Sequence, residues 1–121
     1  MNRLYIIIIA ILCFIAVPVA TISGETIKHY DQQNNITGYT VIENGKETYF
    51  DANHNRIGAG SISNNETTHY DKNWNRAGKT IWEGNTGTVY DKDGNKTEHL
   101  KKRGGKTIIY DKNWNRKGYE K

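Results

Sequence analysis

An aromatic residue followed by aspartate recurs every 20 residues without insertion, at Tyr30–Asp31, Phe50–Asp51, Tyr70–Asp71, Tyr90–Asp91 and Tyr110–Asp111. Four residues after each aspartate stands an asparagine: Asn35, Asn55, Asn75, Asn95 and Asn115. Three further on comes Gly38, Gly58, Gly78 or Gly118, with Glu98 as the exception. Columns in register over five copies exclude chance and make the repeat the unit of folding. Halfway round the period lies a second turn signal: Asn44–Gly45, Asn64–Asn65, Gly84–Asn85 and Gly104–Gly105. Short runs rich in Thr, Ile, Val, Tyr and Trp separate the two signals, which is the pattern of strands joined by tight turns. The Asn–Gly type dipeptides suit two-residue hairpin loops, whose central residues need positive φ. In the Asp-to-Asn turn the aspartate can accept backbone N–H groups and the asparagine tolerates the left-handed conformation. The glycine then permits a bulge or a close approach of chains.

Alternation of side chains assigns the faces. Thr48 with Phe50, Thr68 with Tyr70, Thr88 with Tyr90 and Ile108 with Tyr110 share one face of the first strand, and Tyr30 heads the same column. With Ile42, Ile62 and Trp82 of the second strand they form the predicted core, while Lys46, Glu66, Lys79 and Lys106 are predicted to be wet on the opposite faces. A lone hairpin cannot bury its apolar face, so the units must stack or close into a ring. Units starting near residues 26, 46, 66, 86 and 106 supply about ten short strands. The expected fold is all-β: hairpin repeats forming a shallow symmetric barrel or flower-like closed array over residues 24–121, behind an N-terminal hydrophobic helix. Closure would remove the exposed sheet edges; the repeat alone is also compatible with an open stack.

The first 23 residues are of another kind. Arg3 precedes an uncharged apolar run from Leu4 to Ala20, the layout of a secretory signal. The run is long enough to serve instead as an uncleaved anchor. Pro18 spoils a cut after Ala20, whereas Thr21 suits one after Ser23. Both readings put the repeats outside the cytoplasm, secreted or periplasmic. Cys13, the one cysteine, lies in this segment, so the repeats carry no disulfide or thiol chemistry. The formal net charge is +4 with signs interspersed, and only Lys101–Lys102–Arg103 form a basic cluster, so no nucleic-acid surface is expected.

Tyr-Asp, a short turn with Asn, then Gly resembles the YD repeat of the Rhs family. Those repeats build large shells from many more copies. In size the chain looks more like the small bacterial β-flower proteins, shallow barrels of hairpin repeats behind a hydrophobic segment; this resemblance implies a fold more than a function. The stretch from Glu43 to Gly58, ENGKETYFDANHNRIG, is also similar to the choline- or glucan-binding repeats of cell-wall proteins. Those use paired aromatics to cage ligands. The column before the core aromatic here reads His29, Tyr49, His69, Val89 and Ile109, so such a cage is not regularly present.

Candidate binding residues lie where the copies differ. Trp74 and Trp114 occupy the tip of the Asp-to-Asn turn, His54 shares their column, and Asn34 and Gly94 fill it elsewhere. An exposed Trp could stack on sugar rings or enter a bilayer interface; the alternative is that it folds back and packs over its hairpin. Trp82 marks a variable strand face. Asp91-Lys92-Asp93-Gly94-Asn95 is similar to the start of a calcium loop, but Lys102 stands where the bidentate glutamate belongs. His29 and His69 could meet at a symmetric centre, yet a zinc site needs three or four ligands, and Tyr49, Val89 and Ile109 fill the rest of the column. No catalytic residues, metal or cofactor are expected, because repetition spends each aspartate on a turn. The expectation is an exported, non-enzymatic envelope module that recognises cell-wall glycan or membrane lipid through turn aromatics. The alternative is a self-assembling structural protein whose first and last strands pair with other copies.

Overall fold

A computed structural model describes residues 24–121; the signal or anchor segment expected over residues 1–23, with its helix, lies outside the described residues. Ten strands follow one another: β1 (Glu25–Asp31), β2 (Ile36–Glu43), β3 (Lys46–Asp51), β4 (Arg56–Ser63), β5 (Glu66–Asp71), β6 (Arg76–Glu83), β7 (Thr86–Asp91), β8 (Lys96–Arg103), β9 (Lys106–Asp111) and β10 (Arg116–Glu120). Each pairs antiparallel with its sequence neighbours, and β1 pairs with β10, so the meander closes into a barrel. The free strand edges expected to drive self-assembly are therefore spent on closure.

The two turns per unit divide the barrel into two ends. At the short-turn end, Glu43 pairs with Lys46 across Asn44–Gly45, and both central residues have positive φ, 51° and 75°. Gly104–Gly105 behaves alike, at 51° and 81°. In the Asn64–Asn65 and Gly84–Asn85 loops the positive angle falls on the first residue, at 54° and 60°. At the long-turn end the register shifts once in every unit, between Tyr49 and Phe50 for example, so the expected bulge is present. The neighbouring glycine is required there because the strands draw together. A β-carbon at Gly78 would come far inside van der Waals contact distance of the Tyr90 carbonyl oxygen.

The register overturns the expected faces. A two-residue loop pairs Val41 with Thr48 and Ile42 with Glu47, so Ile42 lies on the face opposite Thr48 and Phe50. A cavity bounded by all ten strands identifies the lumen. It is lined by Glu47, Tyr49, His69, Thr80, Trp82, Val89, Leu100 and Ile109, among others. The column of Tyr30, Phe50, Tyr70, Tyr90 and Tyr110 alternates with these along the strands and lies half-buried on the outer face, and of the five Tyr30 and Phe50 also reach the edge of the cavity. Lys46, Glu66, Lys79 and Lys106 share that outer face rather than opposing it. Tyrosine suits the position because its ring covers the sheet while its hydroxyl stays wet.

Inside, side chains form layers contributed alternately by odd and even strands. From the long-turn end they run through the Gly38 column, with Glu98 in place of one glycine. Next come the His29–Tyr49–His69–Val89–Ile109 layer and then Thr40, Gly60, Thr80, Leu100 and Glu120. Ile27, Glu47, Thr67, Gly87 and Thr107 follow, with Ile42, Ile62 and Trp82 at the short-turn end. Thr40, Thr67, Thr80 and Leu100 are the buried heart of the lumen; Ala59 and Tyr119 are buried on the outer face. The seam is shorter than the other junctions: β1 and β10 share three registered pairs. Reciprocal backbone hydrogen bonds between Lys28 and Lys121 and a Tyr30–Tyr119 stack with centroids 4.7 Å apart reinforce it.

Candidate binding sites at the turn tips and in the lumen

Every long turn is built the same way. Asp71 Oδ1 accepts hydrogen bonds from the Asn73 and Asn75 amides at 2.8 and 2.9 Å, and Asn75 Nδ2 donates to Asp71 Oδ2. The Asp71 carbonyl closes the turn on the Trp74 amide at 3.0 Å. Asp31, Asp51, Asp91 and Asp111 repeat this pattern with Asn35, Asn55, Asn95 and Asn115. Backbone donors, foremost the amide of that asparagine, hold each aspartate below its ordinary carboxylate range. The turns are thus closed by anionic acceptors at neutral pH.

The left-handed residue is the one before the asparagine: Asn34, His54, Trp74, Gly94 and Trp114 have φ of 66°, 67°, 66°, 85° and 68°. This is the variable tip column. A left-handed Trp costs about 1–2 kcal/mol that glycine avoids, and Gly94 shows that the turn closes without a side chain. Each tip side chain folds back toward the strand before its own hairpin. His54 stacks on Tyr39, with centroids 4.5 Å apart, and Asn34 Oδ1 accepts from the Tyr119 hydroxyl at 2.9 Å across the seam. Trp114 stacks on His99 at 3.9 Å and 5° and lies tilted against Tyr110. Trp74 tilts against Tyr70 beneath the Arg56 guanidinium, 4.4 Å from its centroid. Even so, Trp74 remains 64% and Trp114 49% exposed. Ile57, a bulge residue at the same end, is 51% exposed.

Trp82, the third candidate, is not part of that surface. It stands at the opposite end on the lumen face, flat against Gly87, with Lys102 Nζ 4.3 Å from its centroid.

The lumen holds a network that reasoning from the repeat passed over. Tyr49 crosses β4 at Gly60, where a β-carbon would collide with its hydroxyl. It donates to Glu47 at 2.7 Å and lies 2.5 Å from His69 Nδ1. One hydroxyl proton serves one acceptor, so His69 Nδ1–H donates to Tyr49. His69 Nε2, 2.7 Å from Thr80 Oγ1, then accepts the threonine proton. Burial lowers the His69 pKa, which agrees with this neutral tautomer. Burial likewise raises Glu47, and burial with the Glu47 charge raises Tyr49. His29 makes the equivalent contact with Thr40 at 2.7 Å and pairs with Glu120 at 2.9 Å. Nearer the long-turn end Lys117 binds Glu98. The two histidines thus meet different partners rather than each other, and among the described residues no three acidic, His or Cys side chains are grouped to hold a metal ion. The signal that could have found this network is the departure of the 29/49/69/89/109 column from repetition.

No family model, curated protein or solved structure matches the chain.

Proposed function

We propose that the protein is a non-enzymatic binding module of the cell envelope, and that Trp74 and Trp114 are its contacts for glycan. One observation carries the reading: both tryptophans are 64% and 49% exposed at backbone positions where φ is positive. Glycine at position 94 fills the same place without strain. A bulky residue held in an unfavourable conformation and left half in water is explained by what it touches outside the chain. Adjacent cations, Arg56 on Trp74 and Lys101 Nζ 5.1 Å from the Trp114 centroid, suit a glycan bearing anionic groups. Kinship with the β-flower proteins and export through the N-terminal segment are part of the same proposal; a closed ring of five hairpins is the architecture that the resemblance implies.

Glycan is favoured over lipid by the direction of the chain. β1 starts at the short-turn end, since Glu25 pairs with Ile42, so the segment before Gly24 joins the barrel opposite Trp74 and Trp114. If that segment anchors the protein, its tryptophans point away from the bilayer. The test is sedimentation with insoluble cell-wall glycan and, in parallel, with anionic liposomes, using the double variant Trp74→Gly and Trp114→Gly. Wild-type protein should sediment with glycan and the variant should not, with its melting temperature little changed. Unchanged glycan binding, or binding to liposomes alone, would sink the assignment.

A further inference from the structure

We infer that the barrel lumen is a binding site for a small organic cation with an apolar body, distinct from the turn-tip surface. The cavity has a volume of about 600 Å³, within the roughly 300–1,000 Å³ common for small-molecule sites. Its wall is divided. Val89, Leu100 and Ile109 make the middle of β7 to β9 apolar, with the Trp82 ring beside them on β6 and Glu98 of β8 nearer the long-turn end. Across the lumen, β10, β1 and β3 present Glu120, His29, Glu47 and Tyr49. Glu120 lies near enough to Glu47 for its charge to disfavour ionisation of Glu47, and His29 offsets this only in part. The wall's one ammonium, Lys117, is already bound to Glu98. A protein with a formal charge of +4 therefore gathers three carboxylates in its lumen wall, Glu47, Glu98 and Glu120, with one ammonium, Lys117 on Glu98, and one histidine, His29 on Glu120, beside them. A primary ammonium would donate to Glu47 and Glu120, and its apolar body would meet the Leu100 side. Tyr49 would add a ring that attracts cations, while Trp82, covered by Gly87 and Lys102, would add apolar surface. A metal ion fits less well, because these side chains are not gathered into a coordinating group.

Three ligands of nearly one shape separate charge from apolar burial: phenethylamine as the cation, 2-phenylethanol as the neutral analogue and phenylacetate as the anion. Calorimetric titration of the whole protein at pH 7 should show the amine binding roughly tenfold or more tighter than the alcohol, and phenylacetate weakest. The conservative pair Glu47→Gln and Glu120→Gln keeps size and hydrogen-bonding capacity. It should bring amine and alcohol to equal affinity while alcohol binding persists. Indole fluorescence should respond to the amine in wild type and lose that response in Trp82→Phe. Equal binding of the three ligands, no binding of the amine, or a cation preference that survives in the glutamine variant would each overturn the inference. Trp74→Gly/Trp114→Gly protein should still bind the amine, so failure here is distinct from failure of the glycan reading.

Discussion

Around the outside of the ring one column reads Tyr30, Phe50, Tyr70, Tyr90 and Tyr110; one residue earlier, facing the lumen, the layer reads His29, Tyr49, His69, Val89 and Ile109. The outer column adjoins the Asp turn, and every unit has to make that turn and cover the sheet beside it. Five similar rings meet five similar demands. The lumen layer answers to a different constraint, because its five side chains converge on one space. Five large rings would overfill it, and each unit must take account of what the others contribute. The repeated face therefore specifies the fold, and the unrepeated interior is free to carry chemistry.

The largest expected effect of breaking this contrast comes from adding one methyl group at a repeated position, Gly78 of the bulge column, and one at an unrepeated position, Gly60 beneath Tyr49. Gly78→Ala sets a β-carbon against the Tyr90 carbonyl, backbone against backbone, at a φ of 154°. Nothing there can swing aside, so a loss of about 3 kcal/mol or more is expected, with collapse of the melting transition. Gly60→Ala meets the end of a side chain, the Tyr49 hydroxyl, which can move. A cost of about 1–3 kcal/mol is expected, with the Tyr49–His69 link broken. Thermal unfolding of both variants checks the ranking. Equal losses would show that the interior is as tightly specified as the ladder.

Acid separates the two regions along the pH axis. The unfolded chain protonates His69 near the ordinary imidazole value of about 6.5, whereas the folded chain does so only at lower pH. Unfolding thus takes up a proton in that interval, and stability is lost as pH falls through it. The turn aspartates have folded pKa values below 3.8, so their contribution is complete above 3.8 and is lost as pH drops below it. Glu47 acts in the opposite sense, since its folded pKa lies above 4.5; stability is regained as pH falls from the folded value toward 4.5. Denaturant midpoints measured from pH 7 to pH 2 should show a shallow fall beginning near 6.5 and a steeper one below 3.8. His69→Asn should erase the first and keep the second, and a single continuous decline would remove the distinction. Tyr49→Phe, which leaves Glu47 and His69 without their shared hydroxyl, should cost about 1–3 kcal/mol at neutral pH.

The hairpins, the bulges and the strand number were all legible in the sequence because each rests on a local rule repeated five times. The facing of the barrel was not read correctly, although part of its signal was present. A two-residue loop at Asn44–Gly45 pairs residues equidistant from it, which puts Ile42 beside Glu47 and not beside Thr48. Counting outward from the loop would have separated the two columns. What counting cannot supply is which face turns inward. In β9, Ile108, Ile109 and Tyr110 are apolar on both sides, and in β3 Tyr49 adjoins Phe50, so alternation has little contrast. The more aromatic column then looks like the core. The fold-back of the tips was equally hidden, because it links each turn to the strand before its hairpin: Trp114 to His99 and His54 to Tyr39.

The smallest effect probes those tips. Replacing Trp74 by Gly relieves a left-handed side chain, a gain of about 1 kcal/mol. It also forfeits the contacts with Tyr70 and Arg56, worth about 0.5–1.5 kcal/mol for an aromatic pair. The two nearly cancel, so stability should move by less than about 1 kcal/mol. Trp114→Gly should be the worse of the pair, because Trp114 lies nearly parallel to His99 at 3.9 Å, while Trp74 meets Tyr70 at 6.3 Å and 49°. Chemical denaturation of the two single variants measures the difference directly. If Trp74→Gly proved as costly as Trp114→Gly, the exposed Trp74 would be a structural clamp, and the tip column would join the repeated, fold-specifying part of the molecule.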